Sequence, residues 1–118
     1  MPLIIIKTSE PETFTDRVEE IHEHAETILS SVLKKSRDYV VSILEFDQKI
    51  SFAGESGSPS AYIEAKNVGI LTPEITETLS REITAVVTKN LGIEPKRVYI
   101  EFQHSERHMW GWNGSTFG

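Results

Sequence analysis

The chain repeats one plan twice, and that repetition restricts its fold more than any single residue does. Apolar runs centred on Ile5 and Val41 stand 36 positions apart, and those centred on Ile63 and Tyr99 stand the same distance apart. Each pair brackets a helical pattern. In the first, Phe14, Val18, Ile21, Ala25, Ile28, Leu29, Val32 and Leu33 recur at intervals of three and four among charged residues, which makes one apolar helix face. In the second, Thr72 is an N-cap, Pro73 suits the first helical position and Glu74 is a first-turn acid; Ile75, Leu79, Ile83, Val86, Val87 and Leu91 follow, with Gly92 as the stop. The strands expected around these helices are LIIIK (3–7, buried on both faces), DYVVSILEF (38–46), AYIEA (61–65) and RVYIEF (97–102). A connection that long, containing a helix, suits a right-handed crossover between parallel strands. The expected fold is therefore α+β: two β-α-β units in the order β-α-β-β-α-β, forming one four-stranded sheet with both helices on one face, as a single domain over residues 1–118.

Composition narrows what such a domain does. The net charge of −6 argues against nucleic acid or an anionic membrane as a partner, because either favours a basic face. The absence of cysteine removes disulfides, thiolate nucleophiles and Cys-ligated zinc. PLIIIKTSE is too short and lacks the flanks for a signal peptide, and no run reaches the length of a membrane span, so a cytoplasmic location is the default expectation. A chain of 118 residues with exposed sheet edges gains stability by association. The loop AGESGSPS, residues 53–60, is a surface connection or the rim of a site.

Few residues suggest chemistry on their own. His22 and His24, two apart, face different sides of a helix; His104 and His108 have the spacing of a ligand pair but no third ligand nearby in sequence, so no metal is expected. Pro2 has a structural reading, since a proline without an N–H is tolerated at a strand start. Its chemical reading is sharper. Removal of Met1, which is usual before a small residue, leaves a free secondary amine, and burial beside a cation would keep that amine neutral and basic. Lys34, Lys35 and Lys66 are the candidate cations, although each also reads as an ordinary solvated charge.

VYIEF followed by WGWNGSTFG resembles the macrophage migration inhibitory factor branch of the tautomerase superfamily. The resemblance continues through MPLIIIKTS, the segment from Lys35 to Tyr39, SFAGESGSPSAYIEAKNVG and GIEPKRVYI. It implies a homotrimer whose sheets line a central barrel, with active sites between subunits. It also implies a cofactor-free keto–enol tautomerase for a small 2-keto acid of the phenylpyruvate type, or a dopachrome-like substrate. Pro2 would be the catalytic base, and Lys35 the substrate-binding lysine, with Lys34 one residue away as the alternative. Val68 would offer its backbone N–H, and Tyr99 would line the pocket from the adjacent subunit. Glu101 falls where mammalian members carry asparagine; ionised, it accepts hydrogen bonds but donates none, and it could point into the pocket or pair with Lys35 or Arg97. Phe52, Trp110 and Phe117 are candidates for an apolar wall. The thiol exchange assigned to CxxC-bearing members is not available here. The resemblance also leaves open a cytokine-like homologue that binds a protein receptor and is secreted without a signal peptide.

Overall fold

The computed structural model describes residues 1–14 and 16–118, with the Phe14 side chain and Thr15 outside it. Four strands form the main sheet: β1 (Leu3–Thr8), β2 (Val41–Glu45), β3 (Ala61–Val68) and β4 (Val98–Ser105), in the order β2-β1-β3-β4. β1 runs parallel to β2, β3 runs parallel to β4, and the two pairs meet where β1 and β3 lie antiparallel. The two crossovers carry α1 (Val18–Leu33) and α2 (Pro73–Leu91), so both β-α-β units form as the spacing predicts.

Alternation along the strands separates a core face from an open one. Ile4, Ile6, Ala61 and Ile63 are buried and pack with Ile21, Ala25 and Leu29 of α1 and with Leu79, Ile83 and Val87 of α2. Burying each larger aliphatic side chain contributes about 1.5–3 kcal/mol relative to leaving it in water. Leu3, Ile5 and Lys7 point to the other face and are only half-buried. The expectation that LIIIK is covered on both sides is thus corrected for the single chain, because both helices occupy one face. The open face presents Val41 and Ile43 near one edge, and Tyr99 and Glu101 on the other.

Local hydrogen bonding corrects several boundaries. The second strand begins at Val41 rather than residue 38, because Ser36 Oγ accepts from the Asp38 N–H at 3.2 Å and turns Arg37–Tyr39 into a short 3-10 helix. α1 begins at Val18, and Phe14 belongs to a separate 3-10 turn, Glu12–Phe14; the core contact expected of its side chain lies outside the described residues. β3 and β4 each run three residues further than expected, paired with each other through Val68 and Ser105. α2 has the caps its sequence predicts: Thr72 Oγ1 accepts from the Ile75 N–H, and Gly92 closes the helix at φ 69°.

The C-terminal segment forms a small hairpin of β5 (Gly111–Trp112) and β6 (Ser115–Thr116), turned by Asn113 and Gly114 at φ 53° and 79°. Asn-Gly with both residues at positive φ is the favoured two-residue hairpin turn.

Candidate active site

Pro2 lies just before β1, and its carbonyl accepts from the Val41 N–H at 3.2 Å. This ties the chain start to the start of β2. A cavity of about 370 Å3 opens beside it, lined by Met1, Pro2, Tyr39, Val41, Trp110 and Trp112 among others. Its size and aromatic lining suit a small organic ligand. Larger clefts, about 600 and 620 Å3, run along the helices but do not include Pro2.

Lys35 does not line the cavity beside Pro2; the end of α1 sets it close enough to the amino terminus for its charge to act there. Lys34 occupies the helix C-cap in the left-handed region at φ 55°, and the next residue is clamped by Ser30 on both backbone groups. The Lys35 N–H donates to the Ser30 carbonyl at 3.0 Å, and Ser30 Oγ donates to the Lys35 carbonyl at 2.6 Å. The Lys35 side chain then reaches across, Nζ donating to the Val68 carbonyl at 3.2 Å. Burial and the Lys35 ammonium together hold the chain's amino terminus, on Met1, below its ordinary value of 8.0. Of the lysines considered from sequence, Lys35 is the one whose charge acts on the amino terminus.

Val68 is brought to the same point by sheet register. Leu3 pairs with Lys66, so continuing that antiparallel ladder sets Pro2 opposite Asn67 and Met1 opposite Val68. The observed contact uses the Val68 carbonyl, whereas the family resemblance points to its N–H.

Tyr99 and Glu101 are elsewhere. Lys7, Tyr62 and Tyr99 stand in one line across the sheet. That line is five residues along β1 from Pro2, and Tyr99 is two strands over, a separation of roughly 19 Å from strand geometry. Phe52 accompanies Tyr99, ring edge to ring face at 4.9 Å. Glu101 accepts from Tyr62 Oη at 3.0 Å; neither Lys35 nor Arg97, the partners considered from sequence, pairs with it. Arg97 instead bonds the 55–60 loop. Burial, followed by the Glu101 hydrogen bond, raises the Tyr62 phenol above its ordinary pKa.

The aromatic wall also divides. Trp110 lines the Pro2 cavity, Phe117 stacks on Trp112 at 6.1 Å, and Trp112 meets Tyr39 edge-on at 5.6 Å. Tyr39 and Trp112 were not singled out as site residues from sequence. The signal available for them was WNGS, whose turn folds Trp112 back over the cavity, and the ST-turn that begins at Ser36.

Compared with known proteins, the whole chain, residues 1–118, matches the family model described as macrophage migration inhibitory factor. A macrophage migration inhibitory factor homolog of Trichinella spiralis is 29% identical over 117 residues, covering 99% of this chain and 100% of that protein. The macrophage migration inhibitory factor of Xenopus tropicalis is 31% identical over 90 residues, covering 76% of this chain and 77% of that one. Among solved structures, the crystal structure of the homologue from Prochlorococcus marinus superposes with a TM-score of 0.92 at 33% identity, covering 98% of this chain and 99% of the other.

Proposed function

Since the chain belongs to the macrophage migration inhibitory factor family of the tautomerase superfamily, we propose that it is a cofactor-independent keto–enol tautomerase of arylpyruvates, with the Pro2 nitrogen as general base. The observation that carries this reading is the cavity beside Pro2, where burial and Lys35 already depress the pKa of the terminal amine. Once Met1 is removed, the same two influences act on a prolyl amine one residue further in and favour its neutral, proton-accepting form. A neutral Pro2 nitrogen takes a proton from carbon 3 of the keto acid and returns it to the carbonyl oxygen. The C=O becomes C–OH and the adjacent C–C becomes C=C, with no co-reactant consumed; the reverse reaction retraces these steps.

Lys35 holds the substrate carboxylate, for which it can release the Val68 carbonyl. The Val68 N–H adds a positioning hydrogen bond, and Trp110 and Trp112 pack the aryl ring. Tyr99 completes the pocket from a neighbouring subunit of a homotrimer. The trimer is supported by three features of one chain: unpaired edges on β2 and β4, exposed Val41 and Ile43, and the distance from Tyr99 to its own Pro2.

The test is phenylpyruvate turnover by wild type and Pro2→Gly, with intact mass reporting whether Met1 is gone. Loss of a positioned general base is expected to lower kcat/KM by about 10²–10⁴-fold. Equal rates in the two proteins, with Met1 removed from the wild type, would end the base assignment.

A further inference from the structure

Arg97 is a buried cation with more partners than the turn it sits in requires. Only 8% exposed, it lies just before β4, two residues from Tyr99. Its Nε donates to the Pro59 carbonyl at 3.1 Å and to Ser60 Oγ at 2.9 Å. Its Nη2 donates to the carbonyls of Glu55 at 2.9 Å and Ser58 at 3.3 Å, and Nη1 pairs with the Glu55 carboxylate at 3.1 Å. One guanidinium therefore gathers four residues of a loop rich in glycine, serine and proline, which brings almost no apolar surface to hold itself in place.

The loop in turn holds a ring. Phe52 and Glu55 exchange backbone hydrogen bonds at 2.9 and 3.0 Å around Ala53 and Gly54, both at positive φ, so fixing Glu55 fixes Phe52. The Arg97 guanidinium also lies 5.5 Å from the centre of the Phe52 ring. Phe52 then presses on Tyr99 at 4.9 Å, on a sheet edge where Tyr99 is 66% exposed. The far end of the loop is anchored separately: the Ser60 carbonyl accepts from Thr8 Oγ1 at 3.0 Å and from the Ser9 N–H at 3.1 Å.

We infer that Arg97 is the positioning residue of the Tyr99 half of the site, acting through Glu55 and Phe52 to fix the ring a neighbouring subunit's substrate packs against. The inference rests on the tautomerase reading for its kinetic consequence, but its structural content, that Arg97 sets the Phe52–Tyr99 pair, does not. Lysine at this position keeps the charge and loses the fork that reaches four loop residues.

The experiment compares wild type, Arg97→Lys, Glu55→Gln and the control Lys96→Gln, whose side chain is exposed next to Arg97. The readouts are phenylpyruvate kinetics, and aromatic NMR of the Tyr99 ring, whose shifts report the Phe52 ring current. For Arg97→Lys, the Tyr99 resonances are expected to move and KM to rise about tenfold, with kcat within about twofold. Glu55→Gln keeps an acceptor on the loop and is expected to do the same more weakly; it carries the test if Arg97→Lys does not fold. A folded Arg97→Lys whose Tyr99 resonances match wild type overturns the inference whatever the kinetics. Moved resonances with an unchanged KM overturn its functional part. A wild type inactive on phenylpyruvate counts against the tautomerase reading and leaves the NMR comparison to decide on Arg97.

Discussion

The Pro2 end and the Tyr99 end of the sheet are built by opposite means. At the Pro2 end a cavity exists within one chain, lined by Trp110 and by Trp112 of the C-terminal hairpin, and Lys35, from a helix terminus clamped by Ser30, acts on the amino terminus beside it. At the other end Tyr99 stands on an open edge, backed by Phe52 and by a loop that Arg97 holds. On the proposed reading each completes the other only when chains associate, which makes catalysis a property of the oligomer.

The most direct way to break this comparison is to inactivate the two ends in different chains. Pro2→Gly alone and Tyr99→Ala alone leave every site of their own assemblies short of one half, with losses of at least about 10²-fold and about tenfold respectively. Co-refolded at equal ratio, random assembly pairs an intact Pro2 half with an intact Tyr99 half in about one quarter of the sites of a trimer. Phenylpyruvate turnover should therefore climb well above the mean of the two parents and peak near equal mixing. A rate that follows the simple average at every ratio would mean that the two ends never meet.

How much of each end was legible in the sequence follows from where its information is stored. The β-α-β units were legible because Ile21, Ala25, Leu29 and their counterparts in α2 repeat at the helical period, and that period is local. Thr72 and Gly92 were legible for the same reason. The start of β2 was misplaced because the Ser36 side chain competes for the Asp38 N–H, and β-branched propensity alone does not register that competition. Pro2, Lys35 and Val68 could be joined from sequence only through family resemblance. Their meeting depends on an antiparallel register between β1 and β3 and on a left-handed residue, Lys34, that no glycine marks. The part played by Arg97 was hidden more deeply, since its partners are mostly loop carbonyls, which carry no residue signature.

A smaller effect sharpens the account of the Pro2 end. On the proposed reading the neutral amine is the active form, so kcat/KM falls as pH drops through its pKa. Burial first, and then Lys35, lower the pKa of the Met1 amine by disfavouring its charged form, and on that same reading they do the same to the Pro2 amine once Met1 is gone. Lys35→Gln removes the cation and lets the pKa rise, which moves the acid limb of the pH–rate profile to higher pH. On the acid limb kcat/KM therefore falls further than any loss measured on the alkaline plateau. That plateau loss reports the missing contact with the substrate carboxylate, so one profile separates the two roles. A limb that stays in place while the plateau drops would confine Lys35 to binding.

The smallest effect belongs to the Tyr99 end and concerns its charge. Glu101 is exposed on the same open sheet face, two residues beyond Tyr99, and accepts the Tyr62 hydroxyl at 3.0 Å. Ionised and held there, it sets a negative charge near the region an anionic 2-keto acid would approach. Glu101→Gln keeps an acceptor for Tyr62 and removes that charge, so the sheet geometry survives while the repulsion goes. Because the group is solvated, the repulsion is worth only a fraction of a kcal/mol, and KM for phenylpyruvate is expected to fall about two- to threefold with kcat unchanged. Screening supplies the check. At about 1 M salt the Debye length shrinks to about 3 Å, and the KM values of wild type and variant should converge. A KM difference that persists undiminished at high salt would mean that Glu101 touches the substrate directly, which would move it from the rim of the Tyr99 half into the pocket itself.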